Sequence, residues 1–206
     1  MSNVLVINSS VSGEGSVSRL LVDDAVAQLR RRDPSLKLVT RDLAANPVPH
    51  LAPDGVAGVR TPTATTPAEI LARDLSDALI GELRAADTIV IGAPMYNFGL
   101  PSTLKAWFDH VLRAGQTFSY SEAGPKGLLE GKQVIVIEAR GGLYSEGPAQ
   151  AADFQEPYLR HLLGFIGLTD VTFVRAEKIG YGPEAREAAI AGARAQLTSL
   201  ALPQAA

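Results

Sequence analysis

The stretch Ile89-Val90-Ile91-Gly92-Ala93-Pro94-Met95-Tyr96-Asn97-Phe98-Gly99-Leu100-Pro101 constrains this chain most. An apolar run with no alternation reads as a strand buried on both faces, which places it inside a parallel sheet with helices on either side. It stops at Gly92, and a helix opens at Pro101. In open α/β sheets, ligands sit just past the carboxyl ends of the strands, where strand order reverses. A turn holding Met95, Tyr96 and Phe98 at such a place offers a flat apolar ligand a surface to lie on. The same aromatics could instead pack on the core of an ordinary strand-to-helix loop. The neighbouring strand ends decide between these two readings.

Val4–Ile7 repeats the buried-strand pattern and breaks into Asn8-Ser9-Ser10-Val11-Ser12-Gly13-Glu14-Gly15-Ser16-Val17-Ser18. A helix follows, with Val22, Ala25, Val26 and Leu29 on one face, ending before Pro34. Hydroxyls and glycines between a first strand and a first helix make an anion cradle, because side-chain O–H groups and the free N–H groups of the helix start can converge. The loop has no Walker-type Lys and no G-x-G-x-x-G spacing, which excludes a nucleoside triphosphate and a dinucleotide pyrophosphate. A phosphate monoester remains, beside the simpler reading that Ser16 or Ser18 caps the helix. Leu36–Arg41 alternates as an edge strand should. Residues 43–65 read as one long connection, and Thr66-Pro67-Ala68-Glu69 as a capping box opening a helix through Leu71, Leu75, Leu79 and Leu83.

Beyond Pro101, Leu104, Trp107, Phe108, Val111 and Leu112 share a helical face, with Lys105, Asp109 and His110 expected on the solvated side. Thr117–Tyr120 alternates and is followed by turn residues. Val134–Ile137 is a fourth buried strand, ending in Glu138-Ala139-Arg140-Gly141-Gly142-Leu143-Tyr144, whose glycines let backbone approach a ligand closely. A helix from Pro157 to Ile166, a strand at Val171–Val174 and a final helix from Pro183 complete the chain; His161 reads as structural. The pattern is α/β, a doubly wound five-stranded parallel sheet in the order 2-1-3-4-5 with helices on both faces. Residues 1–206 are read as one domain.

Composition excludes several classes. A net charge of −3 gives no footprint for nucleic acid, and the Arg30-Arg31-Arg32 cluster falls where cations complement a helix C-terminus. The absence of cysteine removes disulfides, thiolate zinc sites and Cys nucleophiles. No metal site is expected. No apolar run nears the ~20 residues of a membrane span, and no leader pattern precedes the first strand, so a cytoplasmic location is expected.

In the 2-1-3-4-5 order the ends of strands 1, 3 and 4 are contiguous, and a phosphate cradle beside an aromatic platform describes flavin mononucleotide (FMN). Ala93–Phe98, Arg140-Gly141-Gly142, Arg41–Pro47 and Leu163–Gly167 together resemble the FMN-dependent NADH:quinone oxidoreductase and azoreductase family, over almost the whole chain. The resemblance implies a flavodoxin-like FMN-binding domain. Ser10, Ser16, Val17 and Ser18 would hold the phosphate, Met95, Tyr96, Asn97 and Phe98 the ribityl chain and ring, and Ala139, Arg140, Gly141 and Gly142 the pyrimidine edge. Val17 and Ala139 depart from polar residues common in that family, leaving only their backbone to contribute. Asn97 and Tyr144 would also meet the substrate.

The resemblance further implies non-covalent FMN, NADH or NADPH as donor, a quinone or azo acceptor, and two-electron ping-pong transfer without a protein nucleophile. It implies a homodimer with its active site at the interface, where Phe118 and Tyr120 would cover the partner's flavin. In a monomer both rings are expected near solvent. Two alternatives are weighed against this. A flavodoxin-type one-electron carrier would be more acidic, and a hydrolase with a loop Ser would need a G-x-S-x-G elbow that the chain lacks.

Overall fold

The computed structural model describes residues 2–200. Strands β1 (Asn3–Asn8), β2 (Lys37–Asp42), β3 (Thr88–Pro94), β6 (Gln133–Ala139) and β7 (Asp170–Ala176) form a parallel sheet in the order β2-β1-β3-β6-β7. That is the expected 2-1-3-4-5 order, with a separate antiparallel hairpin, β4 (Phe118–Ser121) and β5 (Gly124–Gly127), inserted between its third and fourth strands. Helices α1 (Val17–Arg32), α2 (Pro53–Arg60), α3 (Pro67–Ala85), α4 (Ser102–Val111), α5 (Glu156–Phe165) and α6 (Pro183–Ser199) surround it. No helix among the described residues is long and apolar enough to cross a membrane.

The missing alternation in the inner strands follows from burial on both faces. Leu5, Ile7, Ile89, Ile91, Val134 and Val136 pack on the side of α3, α4 and α5. Their neighbours Val4, Val6, Val90, Ile135 and Ile137 pack on the side of α1 and α6. The expected capping box is present: Thr66 Oγ1 accepts from Glu69 N, and Glu69 returns a carboxylate to the Thr66 N–H. Ser16 caps α1 by accepting from Arg19 N, and the three arginines occupy its last turn.

Several expectations change. The 43–65 connection contains α2, which packs on α3 through Gly58, where a Cβ would lie 2.4 Å from the Glu69 carbonyl oxygen. A guanidinium clamp from Arg73 to the carbonyls of Gly58, Thr61 and Pro62 secures it. Leu71 is exposed, because the buried residues of α3, Ser76, Leu79, Ile80 and Leu83, all lie in its second half, with Leu75 half-buried. His110 is not solvated: it is 1% exposed, and its Nε2 lies 3.0 Å from the Pro49 carbonyl of the segment that folds over α4. Burial pushes its pKa down. His161, by contrast, is exposed on α5.

Phe118 is also corrected. It is buried in its own chain, 4.6 Å from the Phe165 ring centroid, while Tyr120 stands edge-on to it and remains exposed. The cause is the docking of the hairpin on the turn after α5. There Leu129 N donates to Ile166 O, and Gly127 approaches Gly167 so closely that a Cβ would meet its nitrogen at 2.1 Å.

Candidate functional site

Strand register sets the site. Asn8 pairs with Gly92, and Pro94 with Ala139, so β1, β3 and β6 release their loops side by side at one edge of the sheet. Met95 N donates to Ala139 O at 2.9 Å and Arg140 N to Ala176 O at 2.9 Å, extending the ladder to the loop bases.

The first loop gathers hydroxyls and N–H groups. Ser10, Ser16 and Ser18 are all buried, with the Ser16 and Ser18 oxygens 3.2 Å apart. The N–H groups of Val17 and Ser18 open α1 with no carbonyl one turn back to bond. Tyr96 enters this loop from the second. Its phenol oxygen accepts from Val11 N at 3.0 Å and lies 3.4 Å from both the Ser10 and Ser12 hydroxyls. Burial opposes ionisation of that phenol, but the bonds from Ser10, Ser12 and Val11 outweigh it and bring its pKa below the usual value.

The second loop is a tight reversal in which Tyr96 and Gly99 exchange both backbone bonds around Asn97 and Phe98. Both central residues have positive φ, 48° and 70°. Such a turn favours Asn first and Gly second, and a Phe at the second place costs about 1–2 kcal/mol. Phe98 is half exposed, so burial does not account for its presence; strain of this kind concentrates at ligand clamps. Its ring is edge-on to Tyr144 at 6.1 Å, and its carbonyl accepts from Phe154 N. Tyr96 and Phe98 thus tie the second loop to the first and the third.

In the third loop Gly141 is open on its Cβ side, whereas a Cβ on Gly142 would meet the Tyr144 ring at 3.0 Å. Ala139 is buried and presents backbone only. Arg140 differs from what its place in the motif suggests. Its side chain is fully buried and faces Glu138 (2.6 Å), Asp153 (3.1 Å), Glu177 (3.3 Å) and Glu156 (3.6 Å), so it cannot reach a ligand. Gln155 links the cluster back to β3, accepting from Arg140 Nε and donating to the Ala93 carbonyl. Arg160 and Arg175 both pair with Glu156 at 2.6 Å. Burial raises the Glu156 pKa, but the two guanidiniums outweigh it and hold it near 2. Glu138 goes the other way: burial, only partly offset by Arg140, pushes it up to about 8.

Local sequence patterns do not announce this cluster. Its one signal in the sequence is Glu138 two residues before Arg140 at the end of a buried strand, which puts both side chains on one face. A pocket of about 310 Å³ lies beside it, between Tyr144, Ser145, Pro157 and Arg175. Among the described residues no cluster could hold a metal ion. Phe118 and Tyr120 make their ring contacts with each other and Phe165, not with the three loops.

A hydroxyl-rich cradle at strand 1, joined to an aromatic turn at the switch point of a 2-1-3-4-5 sheet, is the site of a flavodoxin-like fold. The family of that fold matches residues 2–201, and the chain belongs to it. Within it, the chain belongs to the FMN-dependent NADH:quinone oxidoreductases. It is 64% identical over 201 residues to the protein of that name from Hyphomonas neptunium, covering 98% of this chain and 96% of the relative. The protein of the same name from Ralstonia nicotianae is 51% identical, with 94% of each chain covered. Among solved structures, an azoreductase from Bacillus anthracis superposes with a TM-score of 0.88 at 29% identity, over 96% of this chain and 97% of that one. An FMN-dependent NADH-azoreductase from Bacillus anthracis in complex with FMN superposes at 0.86 and 25% identity, over 98% of this chain and 100% of that one.

Proposed function

We propose that the chain is one FMN-binding domain that passes two electrons from NADH or NADPH to a quinone or an azo compound. The observation that carries this is the Tyr96 phenol bonded into the Ser10–Ser12 loop, with Phe98 two residues on edge-to-face with Tyr144. Together they make the cradle and the flat surface one continuous site. The donor set fits a phosphate dianion, because it consists of hydroxyls and N–H groups; of the carboxylates beside it, Glu14 is exposed and Asp42 is paired with Arg19. Ser10, Ser16, Val17 and Ser18 would hold the phosphate, the last two through the N–H groups at the start of α1. Met95, Tyr96, Asn97 and Phe98 would line the ribityl chain and ring. Ala139, Arg140, Gly141 and Gly142 would follow the ring edge with backbone alone.

Bound there, FMN supplies hydride acceptance and two-electron delivery. The protein's part is to orient the donor and acceptor in turn over one flat face. Asn97, exposed and polar in the strained turn, is placed to orient the acceptor. No protein nucleophile is required. A flavodoxin-type carrier is not favoured, since the relatives are named as oxidoreductases. The purified protein should be yellow and should bleach when NADH is added without air. Initial rates against NADH at several quinone concentrations should give parallel lines. Intersecting lines would mean that both substrates bind together and would end the ping-pong reading.

The active unit is proposed to be a cytoplasmic homodimer in which Tyr120 and Tyr144 line the acceptor side. Tyr120 is 70% exposed and would reach the partner's flavin, braced by Phe118 at 5.4 Å. Light scattering at assay concentrations should give twice the chain mass; an active monomer would rule the arrangement out.

Phe98→Gly separates function from stability. Relief of the positive-φ strain should offset the lost ring contacts, leaving the apo protein within about 1 kcal/mol of wild type by urea unfolding. FMN affinity should fall at least about tenfold. A loss of stability near the 3–5 kcal/mol of a core Phe truncation would show that the ring is there for packing.

A further inference from the structure

We infer that Glu177 is a positioning residue of the flavin site, acting by anchoring the Gly141–Ser145 loop to the end of β7; the inference rests on the flavin reading above. Glu177 Oε1 accepts from the backbone N–H of Tyr144 at 2.8 Å and of Ser145 at 3.0 Å, and its other oxygen accepts from the Ser145 hydroxyl. Arg140 Nη1 lies 3.3 Å from Oε1 and holds the carboxylate from behind. These bonds to the ionised form outweigh burial and keep the Glu177 pKa below its ordinary value, so the acceptor is fully charged at neutral pH.

The rest of the loop is joined to the next segment by backbone alone. Lys178 N donates to Gly142 O, Ile179 N to Arg140 O and Gly180 N to Gly141 O. Those bonds survive any change at position 177. They fix the loop only as far as Gly142, however, and Tyr144, whose ring covers Gly142 and meets Phe98, lies beyond them. The Glu177 carboxylate takes both N–H groups of that stretch and the Ser145 hydroxyl, while the only other side-chain bond to its backbone among the described residues is the longer one from Gln150 Nε2 to Ser145 O at 3.3 Å. A loop that faces a ligand with backbone needs such support, because its own glycines give it none.

Removing Glu177 leaves no orphaned charge. Arg140 keeps the carboxylates of Asp153 and Glu156 and its hydrogen bond to Glu138, so the buried guanidinium stays paired and the sheet should stand. Glu177→Ala and Glu177→Gln are therefore compared with wild type by FMN fluorescence titration and by hydrogen exchange of the apo proteins. Glu177→Ala should bind FMN at least about tenfold more weakly, with the Tyr144 and Ser145 amides exchanging at least about tenfold faster while β6 amides are unchanged. Glu177→Gln retains an acceptor oxygen for the loop N–H groups and should return to within about threefold of wild type.

Unchanged FMN affinity in Glu177→Ala would overturn the inference and leave the flavin reading intact. So would a loss accompanied by equally faster exchange in β6, which marks general loosening, or a Gln variant no better than Ala. If Glu177→Ala does not fold, the Gln variant alone decides: near-wild-type affinity with slow loop exchange supports the anchor, and a tenfold loss overturns it. Failure of the wild-type protein to bind FMN would instead remove the reading on which the inference rests.

Discussion

Ser16→Asp should keep the fold and lose FMN by a factor of at least about 100. Ser16 is the N-cap of α1, accepting from Arg19 N, and Asp is as good an N-cap as Ser. The helix start therefore survives the change. The ligand does not, because a carboxylate now stands among groups that would each face a phosphate dianion. Two such charges a few ångströms apart repel by several kcal/mol even at an effective dielectric near 20, and about 2.7 kcal/mol is already a hundredfold. Thermal melts of the apo protein and FMN titration give the two readouts. Undiminished affinity would place the phosphate elsewhere, and Ser16 would then be a helix cap and nothing more.

Glu138→Gln should reverse sign with pH. Wild-type Glu138 is held near pKa 8 in the folded protein, against an ordinary value of 4.5. Between those values the native state keeps a proton that the unfolded chain releases. Stability from this group is therefore complete below about pH 4.5 and is lost as pH rises to about 8. A neutral amide has no such slope, so the variant should gain on wild type by on the order of a few kcal/mol between pH 5 and pH 8. Glu156 works in the opposite direction. Its pKa near 2 gives stability that is present above about pH 4.5 and lost as pH falls towards 2. Urea unfolding of both proteins at pH 5, 6.5 and 8 tests this. Parallel pH lines, with the variant weaker throughout, would mean that Glu138 is ionised and paired with Arg140 across the range.

The two predictions differ in how far the sequence leads to them. The Ser10–Ser18 cradle and the Met95–Phe98 turn were legible because each depends on local chemistry: hydroxyls before a helix, an aromatic turn after an unbroken apolar strand. The strand order followed because five buried runs alternating with helices admit few sheets. Glu138 and Arg140 were legible only as neighbours on a strand. Their other partners, Asp153, Glu156, Arg175 and Glu177, come from a loop, a helix, a strand and a further loop, and no spacing in the chain announces that they converge. Phe118 and His110 are buried against their local pattern for the same reason. Alternation and helical periodicity report which side of an element a residue occupies, not whether another segment lies over that side.

What the sequence determined by itself is thus the parallel sheet, its switch point and the set of groups that meet there, since hydrophobic period, caps and turn residues act within a few residues of one another. The tertiary structure decided which of those groups face outwards. It turned the Arg140 side chain away from the site and into a ring of carboxylates, buried Phe118 under its own hairpin, and brought Glu177 up behind Tyr144. Each of these is a contact between segments far apart in the chain, and its free energy depends on burial and on charges that only the assembled layers bring within reach.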